Sequence, residues 1–115
     1  MSKSALRKSI IQATLFTAIV HLVVLNIVAY RDHGSLDPLF TLNGLGYLGL
    51  LWLFVANPAI VAGRRSLLHY AYMLYAATTV VAFFIVGDMG DWVGWTTKGV
   101  ELILIVALWK HQGME

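Results

Sequence analysis

Cysteine is missing from this 115-residue chain, which excludes a disulfide framework, a thiolate metal site and a Cys nucleophile. Charge is scarce as well. Only 12% of the residues are charged, against about a quarter in soluble domains. No Gly-rich phosphate loop, nucleophile elbow or His/Asp/Glu cluster at metal-ligand spacing occurs along the chain, so an enzyme acting on a soluble substrate is not expected. A basic face or stripe is absent too, and with it the electrostatic footprint of a nucleic-acid binder. What remains is apolar: 59% of residues are hydrophobic. A soluble domain of this size leaves much of its surface exposed and cannot bury so much apolar area. Lipid can cover it.

Four apolar runs are each long enough to cross a hydrocarbon core of ~30 Å at ~1.5 Å per residue. They cover about residues 9–30, 42–61, 67–86 and 92–109. The first follows Lys3, Arg7 and Lys8 and superficially resembles a signal peptide, but it has spanning length and no small-residue cleavage site, so it reads as a retained helix. Polar turns separate the runs. Gly34 and Pro38 discourage helix after the first, and Pro58 terminates or kinks the second. Ser66 is placed as an N-cap for the third and Asp91 for the fourth. Such short links imply an all-α, antiparallel up-down bundle in one domain spanning 1–115.

The basic residues set the orientation. With both termini inside, Lys3, Arg7, Lys8, Arg64, Arg65 and Lys110 fall on the cytoplasmic side, leaving Arg31 and Lys98 outside with Asp32, Asp37, Asp88 and Asp91. Excess Lys and Arg in short inner segments is the main determinant of topology. Trp92 and Trp95 at one end of the fourth helix, and Trp109 at the other, read as interfacial anchors. The expected location is the cytoplasmic (inner) membrane.

Ionisable residues within a span are costly, which makes each a functional candidate. Glu101 lies roughly two turns into the fourth helix, with Lys98 three residues earlier on the same helix side. The bland role is a structural pair that sets helix rotation; the sharper one is proton handling or ligand binding by Glu101. His21 lies about 16 Å along the first helix, at a depth close to that of Glu101, so the two are expected to approach. It either bonds a neighbouring hydroxyl or carbonyl, relays protons, or binds a haem or chlorophyll-type pigment as an axial ligand. His69 sits in the first turn of the third helix, more than about 10 Å from His21 along the membrane normal, which excludes one haem clamped by both. It is expected at the interface beside Arg64 and Arg65, with His33 and His111 solvated in the loop and tail. Asn43, Gly46, Leu50, Leu53 and Asn57 form one stripe, and His69, Tyr72, Ala76, Thr79 and Phe83 another; both are expected to face the bundle interior. Asn26 completes the buried polar candidates.

The run Leu42-Asn43-Gly44-Leu45-Gly46-Tyr47-Leu48, the link Gly63-Arg64-Arg65 and the closing Thr97-Lys98-Gly99-Val100-Glu101 resemble an uncharacterised group of small four-helix prokaryotic membrane proteins. That group shows Asn-x-x-Gly-Tyr in helix 2 and Lys-x-x-Glu in helix 4. The resemblance implies the architecture and marks Asn43, Lys98 and Glu101 for testing. The small multidrug transporters are similar in length and helix count, but they rely on a Glu in the first helix, and this first helix has none. Three functions follow: an accessory, non-catalytic subunit of a larger membrane complex, a tetrapyrrole-binding subunit through His21, or a small proton-coupled transporter or channel using Glu101. The first is the leading expectation. Expected partners are membrane lipids and either a larger membrane-protein complex or further copies of the chain.

Overall fold

A computed structural model of the chain describes residues 2–87, 90 and 92–115. Among the described residues all regular structure is helical: α1 (Lys3–His33), α2 (Pro38–Ala56), the single turn α3 (Ala59–Ala62), α4 (Arg65–Val86) and α5 (Trp92–Met114). Four of these, α1, α2, α4 and α5, are long and apolar enough to cross a membrane.

Local chemistry explains where the helices begin and end. Ser2 caps α1 by accepting from the Ala5 amide at 3.1 Å, so the helix starts well before residue 9 and takes in Lys3, Arg7 and Lys8. It stops at Gly34, whose φ of 74° is a left-handed conformation that glycine adopts without Cβ strain. Asp37 caps α2 through the Leu39 and Phe40 amides, with Pro38 in the first turn, where its missing N–H costs nothing. That moves the start four residues ahead of Leu42. The second helix also ends sooner than expected: Asn57 turns left-handed at φ 50°, and residues 59–62 form the separate turn α3. Ser66 is not an N-cap. Arg64 holds that position without a side-chain bond, while Ser66 lies within α4 and accepts from Gln112 at 3.4 Å. The expected Asp91 cap lies outside the described residues.

One irregularity interrupts α1. Residues Val20–Val24 wind as a π-helix, which loosens the i→i−4 ladder and exposes carbonyls. The Asn26 amide repairs this by donating to the Leu22 carbonyl at 3.1 Å, with the His21 carbonyl at 3.4 Å and the Thr41 hydroxyl at 3.0 Å also in reach. Its carbonyl oxygen accepts from the Asp37 amide at 2.8 Å. A single buried side chain thus ties the wide turn of α1 to the capped start of α2.

The last helix packs mainly against α1 and α4, and α1 also against α2. Leu6, Ile10, Tyr47, Phe54, Leu104 and Leu108 form the apolar core. Around that core the exterior is apolar as well, and polar side chains are buried within. Leu39, Leu42, Leu74, Ile85 and Trp92 are exposed, whereas Thr14, Thr17, His69 and Glu101 have no exposed surface. The inward stripe of α4 runs through His69, Tyr72, Ala76, Thr79 and Phe83, all buried. On α2 the buried residues are Gly44, Tyr47 and Phe54. The expected stripe of Asn43, Gly46, Leu50 and Leu53 is half-buried and Asn57 is exposed, so α2 is rotated from the expected face by about one residue, roughly 100°.

Candidate functional site

Buried polar side chains gather in two clusters, one toward each end of the helices. The first surrounds Glu101 on α5. Its Oε1 accepts from the Lys98 ammonium at 2.5 Å, one turn back on the same helix. Its Oε2 accepts from the Thr79 hydroxyl of α4 at 2.6 Å, the Thr17 hydroxyl of α1 at 3.3 Å and, in a very short contact, the Tyr47 hydroxyl of α2. All four long helices therefore converge on one carboxylate. The Tyr47 and Thr79 hydroxyls lie 2.9 Å apart, so that with one proton each they share the donation to Glu101, and the half-buried Tyr75 hydroxyl donates to the Asn43 carbonyl at 2.7 Å.

His21 reaches Glu101 through an intermediary. Its Nδ1 lies 2.8 Å from the Thr17 carbonyl and 3.3 Å from the Thr17 hydroxyl that donates to Glu101. Among the described residues the hydrogen bonds of the ring all run through Nδ1. The π-helical turn positions the imidazole, because the helix widens at its own residue. Beside the cluster is a cavity of about 470 Å³, whose lining includes His21, Phe40, Asn43, Thr79, Phe83 and Lys98. The Asn43 side-chain oxygen is buried with no hydrogen-bond partner among the described residues, leaving an acceptor on a residue that lines the cavity.

Toward the other end, Thr14 donates to the Ile10 carbonyl at 2.7 Å and accepts a short bond from the Tyr72 hydroxyl. Beyond it lies the second cluster. His69 and His111 lie edge to edge and nearly coplanar, 5.1 Å between ring centroids, with His69 Nε2 and His111 Nδ1 2.9 Å apart. His69 Nδ1 lies 2.6 Å from the Arg65 carbonyl, to which it donates. Glu115 Oε1 lies 3.4 Å from His111 Nδ1 and 3.1 Å from the Arg65 guanidinium. Burial raises the Glu115 pKa, but the hydrogen bond and charge of Arg65, aided by His69 and His111, more than offset this and hold it below the ordinary carboxylate value. Phe54 closes the cluster, edge-on to both imidazoles and under the guanidinium of Arg65 at 5.0 Å.

One expectation is corrected here. His111 is not solvated: α5 continues past Trp109 to Met114 and carries the imidazole inward, to 2% exposure. His69 lies beside Arg65, as expected, and is fully buried against His111. His33 is exposed in the last turn of α1. Of the other candidates, Lys98, Glu101 and Thr79 meet in the first cluster, His21 joins them through Thr17, and Asn43 lines the adjacent cavity. Asn26 stands apart as the clamp on the π-helical turn. Thr17, Tyr47, His111 and Glu115 were not singled out along the chain as site residues. The four-residue spacings Thr17–His21 and His111–Glu115 were the available signals.

A family profile described as a family of unknown function (DUF7475) matches residues 2–110. No curated protein and no solved structure matches the chain.

Proposed function

This chain belongs to the family of unknown function DUF7475, and we propose that it is a four-span membrane protein that handles protons at Glu101, as a small proton-coupled transporter or channel. The observation that carries this reading is a fully buried carboxylate bonded from all four long helices and set beside a cavity lined by His21 and Lys98. Charged groups this deep are costly in an apolar setting and are characteristic of ion and proton pathways.

The membrane setting rests on the exposed apolar surface and on the 44 Å length of the molecule, which matches about 40–45 Å for a bilayer with its headgroups. The helices run up and down, antiparallel, in the cytoplasmic membrane. The excess of Lys and Arg near the termini and the 63–65 link favours placing that end inside, so the Glu101 cavity faces outward.

The chemistry follows from the donor inventory. Tyr47, Thr79 and Thr17 are hydroxyls that both donate and accept, so they can pass a proton between Glu101, His21 and the cavity. A proton on Glu101 removes the counter-ion of Lys98. The ammonium, already on the cavity wall, then takes an anionic solute, which couples proton uptake to anion entry.

The test is flux. Vesicles containing the purified protein and an internal pH dye are expected to acidify after an external acid step, and Glu101→Gln is expected to reduce that flux to the level of empty vesicles. Flux retained in Glu101→Gln overturns the proposal. The accessory-subunit reading draws on the exposed α2 face of Leu42, Leu45 and Trp52, where Gly49 has open space for a docking helix. Stoichiometric larger subunits in a gentle-detergent purification would favour it. A visible absorption band lost in His21→Ala would favour the tetrapyrrole reading instead.

A further inference from the structure

We infer that His69, His111 and Glu115 form a binding site for a single divalent transition-metal ion of the zinc class, at the end of the bundle away from Glu101. The three donor atoms form a triangle. Its edges are 2.9 Å between the two imidazole nitrogens, 3.4 Å from His111 Nδ1 to Glu115 Oε1, and 3.9 Å from His69 Nε2 to that oxygen. A tetrahedral ion with donors at about 2.0–2.1 Å separates them by about 3.3 Å. The observed edges bracket that value, and seating the ion requires both imidazoles to turn so that the two nitrogens, which now face each other across 2.9 Å, converge on one point beside Glu115.

The surroundings match what a metal needs beyond its ligands. The ring of His69 donates from Nδ1 to the Arg65 carbonyl at 2.6 Å, which fixes the tautomer and leaves the Nε2 lone pair facing His111 and Glu115. Metal-bound imidazoles are oriented by just such a bond on the other nitrogen. His111 relocates its Nδ1 proton to Nε2 as the ion replaces the His69–His111 hydrogen bond. Arg65 holds both carboxylate oxygens of Glu115 beside the pair, Oε2 through Nε at 3.2 Å and Oε1 through Nη2 at 3.1 Å, so the ion would share Oε1 with the guanidinium. Its positive charge also opposes the ion, which limits affinity without removing a ligand. Both imidazoles sit on long helices, and Phe54 packs edge-on against the pair. A two-nitrogen, one-carboxylate set with a fourth position left for water is the donor chemistry of zinc and its neighbours rather than of calcium or magnesium. The ion would bridge α4 to α5. This site shares no residue with the Glu101 cluster, so the two proposals stand or fall separately.

The experiment uses the full chain in mild detergent, freed of an N-terminal tag and stripped of metal. Zn²⁺ is titrated by calorimetry, with Co²⁺ as the optical probe. One Zn²⁺ per chain is expected, together with the intense visible bands of four-coordinate Co²⁺. Each of His111→Ala and Glu115→Gln is expected to weaken binding more than about tenfold. Glu115→Gln changes only a carboxylate at the edge of the bundle and guards against a His111→Ala variant that fails to fold. Absence of stoichiometric Zn²⁺ uptake, or uptake unchanged in the folded Glu115→Gln variant, overturns the inference.

Discussion

At the scale of single residues, Lys98 and Glu101 should behave as one unit. Lys98→Met leaves a buried carboxylate without its cation and is expected to cost about 3–5 kcal/mol of stability. Pairing it with Glu101→Leu removes both charges and should recover most of that loss; thermal and denaturant unfolding in detergent would measure both. If the double variant is as unstable as the single, the hydroxyls of Tyr47, Thr79 and Thr17, rather than Lys98, dominate the balance at Glu101. The pair itself was legible in the sequence, because a three-residue spacing on a helix needs no tertiary information. Its hydroxyl partners were not. Thr17, Tyr47 and Thr79 come from three other helices, and a one-residue rotation of α2 would remove Tyr47 from Glu101.

Among the helices, close approach and winding govern the behaviour. A Cβ on Gly44 would meet the Leu22 side chain and come within 3.0 Å of the Ala18 carbonyl oxygen, whereas Gly49 has nothing within 4 Å. Gly44→Ala is therefore expected to cost about 1–3 kcal/mol by wedging α1 from α2. Gly49→Ala should be neutral, or stabilising by up to about 1 kcal/mol through helix propensity. Comparing their melting temperatures with that of the parent chain tests the packing directly. Asn26→Leu strips the clamp from the π-helical turn and is expected to cost about 1–3 kcal/mol by stranding buried backbone groups. Increased amide exchange at Asp37, whose N–H loses its acceptor, would report it. Hydropathy located the long helices, but their ends follow capping by Ser2, Asp37 and Asn57, which overrides where the apolar runs begin. No pattern in the chain announces a π-helical turn, since Val20–Val24 continues the apolar run apart from His21.

For the whole molecule, the exterior is apolar, while the interior combines an apolar core with two separate polar clusters, one around Glu101 and one around His69 and His111. The apolar exterior was legible from composition and from the length of the four runs. The second cluster was not, because His69, His111 and Glu115 meet only once α4 and α5 are packed and α5 runs past Trp109. Under the proposed function, proton handling puts the Glu101 cluster to use; structural pairing alone would leave it inert. The most direct measurement is the infrared difference spectrum of the reconstituted protein between acidic and alkaline buffer, compared with Glu101→Gln. A carboxyl band that appears on acidification and vanishes in the variant is the predicted result. A spectrum of the parent chain with no Glu101-dependent change would contradict the account.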